Sequence, residues 1–267
     1  MSHIHPTAVI DKEAEIDEEV WIGPYVIIGK GVKIGKGTII EAHAVVEGNT
    51  EIGERNHIFP YASIGREPQD IKYKGEETFL KIGNENIIRE FVTINRGTPH
   101  GGGVTYIGNK NFIMAYSHVA HDCKIANEAI LINGATLAGH VEVQDYAVVG
   151  AFTGVHQFTR IGRFAYIGGY SVITQDVPPF SKVVGARPAM IYGINGIGLR
   201  RRGMSREEID SLQIAFKIIF YSDLNTTQAI EKIEREGPHT GVVKELLEFI
   251  KSSKRGIIKK VTEMEED

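Results

Sequence analysis

Four histidines, His118, His121, His140 and His156, lie close together in the chain, and one carboxylate, Asp122, directly follows the second of them. An imidazole of ordinary pKa can take a proton from a hydroxyl at neutral pH, and a neighbouring carboxylate can orient it. Gly139 adds a backbone N–H with no side chain in front of it, which a developing oxyanion would need. These groups act together only if the chain stacks them. His121, Gly139 and Gln157 are spaced by 18 residues, as are Asp122, His140 and Phe158, so an 18-residue coil would set them in two neighbouring columns. A lone histidine at a repeat corner is most simply structural, whereas four in this register point to a general-base site. Cys123 stands beside the pair and reads as structural. As the one cysteine it can form neither an internal disulfide nor a multi-cysteine metal site, so a reducing compartment, the cytoplasm, is expected.

The elements that could stack them are repeats. Ile, Val or Leu recurs at every sixth position from Ile4 to Ile64, at Ile82, Ile88 and Ile94, and again from Ile107 to Ile173, 26 positions in all. This is the hexapeptide pattern of a parallel β-helix. Three hexapeptides make one triangular coil, and coils stack at the strand spacing of about 4.8 Å. The repeated aliphatic points inward, and the glycines, 30 of 267 residues, are expected at the corners. Two excursions interrupt the pattern, at about 66–79, where Asp70 and Glu76 occupy aliphatic positions, and at about 97–106, around Gly101-Gly102-Gly103. Loops expelled from a regular scaffold are where function concentrates.

Pro178-Pro179 ends the repeats and the remainder reads as helical. Ser205 with Glu208 forms a capping box before Ile209, Leu212, Phe216 and Ile219; Asn225 with Gln228 starts a second helix, and Thr240 a third. The expected organisation is a mainly β coil over 1–190 and a small C-terminal helical domain over 191–267, with Glu263 to Asp267 frayed. Net charge is −4 and no apolar run approaches the length of a membrane span, so neither nucleic-acid binding nor membrane insertion is expected.

His118-Val119-Ala120-His121-Asp122-Cys123, Leu137-Ala138-Gly139-His140, His156-Gln157-Phe158 and Gln175-Asp176-Val177-Pro178-Pro179 follow one another in an order that resembles the UDP-N-acetylglucosamine 3-O-acyltransferases of lipid A biosynthesis. So do Gln69-Asp70-Ile71-Lys72-Tyr73, Arg96-Gly97-Thr98 and Arg201-Arg202-Gly203. The resemblance covers nearly the whole chain. It implies a left-handed coil, a homotrimer with sites between subunits, and transfer of an (R)-3-hydroxyacyl group from acyl carrier protein to the glucosamine 3-hydroxyl, without metal or cofactor. It makes His121 the general base, Asp122 its orienting partner and Gly139 the oxyanion donor. It further makes His118, His140, His156, Gln157, Gln69, Asp70 and Lys72 contacts of the sugar nucleotide, with Asn195, Arg201 and Arg202 at uridine and diphosphate. Ile197 stands where the family often has an acidic residue, and Gly169 where side-chain size limits acyl length, so a longer chain is expected. Acyl length itself, and a 3-amino in place of the 3-hydroxyl acceptor, stay open.

Three rival readings are weaker. A zinc hydratase of the γ-carbonic anhydrase type shares interface histidines but not the arginine-bearing helical tail. The later lipid A N-acyltransferase usually carries an additional N-terminal domain, which repeats beginning at Ile4 leave no reason to expect. A non-catalytic β-helix would show flat, repetitive exterior residues instead of one His, Asp and Gln patch.

Overall fold

The computed structural model describes residues 2–259; the expected fraying of Glu263 to Asp267, like Lys260 in a basic cluster of the tail, lies outside them. Each hexapeptide becomes a two-residue strand, such as Trp21–Ile22, Ile27–Ile28 and Lys33–Ile34, followed by a turn. Successive strands join three parallel sheets in rotation, which winds the chain into a left-handed β-helix of triangular section. The repeated aliphatics fill its axis: Ile22, Ile40, Ile58, Ile88 and Ile113 are fully buried. Ile4 is half exposed because the first coil has a neighbour on one side only.

Register steps by 18 residues per coil except at the excursions and at the last coil, where Tyr166 pairs with Lys182 and Ile167 with Val183. Across the first excursion the step is 30 (Asn86 to Asn56), and across the second it is 25 (Asn111 to Asn86). A buried asparagine ladder spans these two breaks. Asn56 Oδ1 accepts the N–H and Nδ2 of Asn86, Asn86 Oδ1 accepts those of Asn111, and Asn111 Oδ1 accepts the Ala129 N–H, all at 2.8–3.0 Å. Each amide thus satisfies a buried corner N–H of the next coil, as Thr38 Oγ1 does for Asn56 N–H.

The glycines meet the expectation only in part, since Gly31, Gly37 and Gly134 do sit at corners with φ of 68–75°. Many left-handed corners carry non-glycine residues, among them Tyr25, His43, Tyr61, Phe91 and Tyr116, at φ of 57–63°. Their rings stack with centroids 5.0–5.1 Å apart, which offsets the strain of that backbone region. Gly35, Gly53 and Gly83 instead follow the inward aliphatic, where a Cβ would come within 2.7 Å of the next coil's backbone. Close approach, more than positive φ, explains them.

Beyond Pro178-Pro179 the chain is not immediately helical. Ser181–Val184 extends one sheet in parallel and pairs antiparallel with Met190–Ile194. A short helix, α1 (Gly196–Arg201), precedes α2 (Arg206–Phe220), α3 (Thr226–Glu236) and α4 (Gly241–Lys251). The capping boxes of Ser205 and Asn225 form, while the Thr240 side chain makes no cap bond. Both strands lie beyond the last repeat, where the six-residue period no longer marks inward positions. The tail docks through Arg163, paired at both oxygens of Glu245 at 2.6 and 2.8 Å, and through Arg160, which lies over Phe249.

Replacing Asn111 by Ala removes the Nδ2 donor to Ala126 O and Asn86 Oδ1 and the acceptor of Ala129 N–H. With buried partners left unsatisfied, we expect a loss of ~2–4 kcal/mol, read as a lower midpoint in denaturant unfolding, where Asn111→Asp should cost a similar amount.

Candidate active site

Asp122 occupies the corner between His118–Val119 of one sheet and Lys124–Ile125 of the next, at φ +60°. Its carboxylate is fully buried. The Thr98 N–H donates to Oδ1 at 2.9 Å, and Oδ2 accepts the Thr98 hydroxyl at 2.6 Å and His121 Nδ1 at 2.8 Å. The Asp122 N–H donates to Thr105 Oγ1. These bonds replace the water a buried carboxylate has lost. Because a carboxylate only accepts, the proton of the His121 ring sits on Nδ1 and Nε2 presents a lone pair.

Gly139 is the floor beneath that ring. A Cβ there would lie 2.5 Å from His121 Cε1 and 2.8 Å from Nε2, so the imidazole packs directly on the glycine. Among the described residues nothing accepts the Gly139 N–H, although the next amide, His140 N–H, donates to His121 O. The 18-residue column is therefore physical. Its neighbour is equally so: His140 stacks on Phe158 with centroids 4.3 Å apart, meets the His121 ring edge-on, and brings Nε2 to 3.8 Å from Asp122 Oδ2. Gly101 makes the same kind of room for the Asp122 carboxylate, which a Cβ at that position would overlap.

Both excursions fold over this corner. Asp70 takes the Lys72 N–H on Oδ1 at 2.8 Å and sits 3.0 Å from His100 Nε2 through Oδ2. The Lys72 amide, then the His100 imidazole, hold its carboxyl below the usual range. Lys72 and Gln69 are exposed beside it. His118, outward on its strand, shares a 2.7 Å hydrogen bond with Thr93 Oγ1. Burial, with the nearby His121, pushes its pKa down, and burial does the same for His140 against the pull of Asp122. His156 and Gln157 are exposed on the next coil, with His156 in a shallow groove beside Thr136 and Ala138.

Other expected residues lie elsewhere on the chain. Asn195 caps α1 through Gly198 N–H and donates to Phe164 O. Arg202 pairs with Glu128 at 2.7 Å and covers the Tyr146 ring, at the corner between the other pair of sheets. Arg201 and Ile197 are exposed on the same short helix. Gly169 is at the third corner, beside Tyr170. One chain therefore does not bring these residues to His121. Thr98, Thr105, Arg96 and His100 gained no role from the sequence, because the column rule that places coil residues is silent on expelled loops.

Cys123 is buried, its Sγ donates to Ala138 O at 3.1 Å, and burial pushes the thiol up to about 12, which fits a structural role. His121, Asp122 and His140 offer three ligand atoms within 4.8 Å of one another. Oδ2 of Asp122 is already engaged by two donors, so the cluster is organised around a hydrogen-bonded carboxylate.

This fold and site define a transferase of the bacterial hexapeptide-repeat class, and residues 13–48 and 105–139 match the family described as bacterial transferase hexapeptide (six repeats). Residues 176–258 match the second domain of UDP-N-acetylglucosamine O-acyltransferase. The chain is 55% identical over 257 residues to the acyl-[acyl-carrier-protein]–UDP-N-acetylglucosamine O-acyltransferase of Thermodesulfovibrio yellowstonii, covering 96% of this chain and 99% of that one. It is 47% identical to the protein of the same name from Syntrophobacter fumaroxidans, with 96% and 99% covered. Among solved structures it is similar to the UDP-N-acetylglucosamine acyltransferase of Francisella novicida, with a TM-score of 0.93, 40% identity and 96% and 94% of the chains covered. The chain belongs to the acyl-[acyl-carrier-protein]–UDP-N-acetylglucosamine O-acyltransferase family.

The lowered pKa values of His118 and His140 have a consequence for stability. Below their ordinary value of 6.5 the unfolded chain binds protons that the folded chain refuses, so stability falls as pH drops through that range and is retained above it. Ring-proton NMR titration should place both midpoints below 6.5, and His118→Gln should flatten the acid side of the stability profile.

Proposed function

We propose that this chain transfers an (R)-3-hydroxyacyl group from acyl carrier protein to the 3-hydroxyl of UDP-N-acetylglucosamine, the first step of lipid A biosynthesis, with His121 as general base. The observation that carries this reading is the His121 ring, bound through Nδ1 to the buried Asp122 carboxylate and resting on Gly139. Nε2 takes the proton of the sugar hydroxyl as its oxygen attacks the thioester carbonyl carbon. The carbonyl oxygen becomes an oxyanion, which the free Gly139 N–H stabilises. The tetrahedral intermediate collapses, the C–S bond breaks, and the imidazolium returns its proton to the departing thiolate, leaving ester and free carrier thiol.

His118, His140, His156, Gln157, Gln69, Asp70 and Lys72 form the nucleotide-sugar surface around this corner. Asn195, Arg201 and Arg202 bind uridine and diphosphate, where an arginine fork donates in pairs to phosphate. Their place on a different corner from His121 supports a homotrimer, in which one subunit's arginines complete another's site. Gly169 lines the acyl groove, and its lack of a side chain admits a long acyl chain. Residues 1–190 then form the catalytic coil, and the C-terminal part, the strand Met190–Ile194 followed by α1 to α4, a second domain. The reaction is placed in the cytoplasm because the single cysteine suits a reducing compartment, and no helix among the described residues is long and apolar enough to cross a membrane.

Assayed with UDP-N-acetylglucosamine and 3-hydroxyacyl carrier protein, His121→Ala should lower kcat by about 10²–10⁴-fold while the protein stays folded. Gly139→Ala should displace the ring and cost activity comparably. Activity equal to the parent in His121→Ala overturns the mechanism. Exhaustive chelation should leave the rate unchanged, and a rate restored only by zinc would favour the hydratase-like reading of the His121, Asp122 and His140 cluster.

A further inference from the structure

The two excursions leave the coil one turn apart, yet their tips meet at the His100–Asp70 pair. Arg96 joins their roots. Its side chain is buried, its backbone N–H donates to Arg66 O at 2.9 Å, and Nη1 donates to Gly65 O at 2.5 Å. Nη2 donates to the Tyr73 hydroxyl at 3.2 Å, which in turn donates to Glu76 O at 2.7 Å. Gly48, at φ +65°, leaves the space that the guanidinium fills; a Cβ there would overlap it.

Among the described residues no carboxylate pairs with Arg96, and its side-chain acceptors are a carbonyl and a hydroxyl. A buried cation held this way is costly, and an apolar side chain would fill the same space without that cost. What arginine alone supplies is a planar fork donating in two directions at once, to the root of the first excursion and to its middle. Two residues further on, Thr98 holds both oxygens of Asp122. One short segment therefore grips the first excursion with one residue and the His121–Asp122 pair with the other.

We propose that Arg96 is a positioning residue for the transferase reaction: through Gly65 and Tyr73 it fixes the first excursion, and with it Asp70, over the corner that Thr98 anchors. The proposal rests on the reading of Asp70 as a nucleotide-sugar contact.

The test compares Tyr73→Phe, which removes one hydroxyl, with Arg96→Lys, which keeps the charge but not the fork, and runs Asp70→Asn beside them. Steady-state kinetics and amide hydrogen exchange over residues 66–79 are measured on each full-length protein. Both variants should raise KM for UDP-N-acetylglucosamine about tenfold with kcat within about threefold, leave KM for acyl carrier protein unmoved, and speed exchange over 66–79. Unchanged exchange overturns the proposal, and so does faster exchange with an unchanged nucleotide-sugar KM while Asp70→Asn raises it. If Asp70→Asn leaves that KM unchanged, the reading of Asp70 fails separately, and Arg96 stands or falls on whether Tyr73→Phe raises it. Should Arg96→Lys not fold, Tyr73→Phe decides alone.

Discussion

Everything in this molecule depends on parallel register between successive coils. Most strands contribute only two residues, too few to be stable alone, so order comes from repetition along the axis. The inward Ile, Val and Leu columns supply the apolar burial, and the pairing of Ile22 with Ile40, then Ile40 with Ile58, fixes which residues lie above one another. Once register is fixed, side chains 18 residues apart become neighbours, and a corner becomes a place where residues from several coils converge.

The site uses that property and then adds what register cannot provide. Stacking sets His121 on Gly139 and His140 on Phe158. Orientation comes from outside the coil, where the second excursion presents Thr98 to both oxygens of Asp122. A regular coil would leave this carboxylate facing solvent. The expelled loop encloses it, and that enclosure makes the Asp122–His121 hydrogen bond the natural resting state of the ring.

Much of this was legible in sequence because a six-residue period is a strong signal and converts directly into neighbours. The coil and the His121, Asp122, Gly139 and His140 cluster follow from spacing, whereas the left hand of the coil came only from the family resemblance. The loops were visible as interruptions, but nothing in a column rule says where their tips land, so His100 and Arg96 received no roles. Glycine was misread for a related reason. The sequence locates Gly35, Gly53 and Gly83 but carries no sign that backbone proximity, and not dihedral freedom, demands them. Ser181–Val184 and Met190–Ile194 were missed because they lie beyond the prolines that end the period.

Among the described residues, the half-exposed first coil has a neighbour on one side only. Its strands present unpaired backbone edges, the kind of surface on which another parallel strand could continue the stack. That coil carries Asp11, Glu13, Glu15, Asp17, Glu18 and Glu19, and Lys30, Lys33 and Lys36 of the second coil pair with Glu13, Glu15, Glu18 and Glu19 at 2.7–3.1 Å. The first coil is thus tied to the second by side-chain charge on the one side where it has a neighbour.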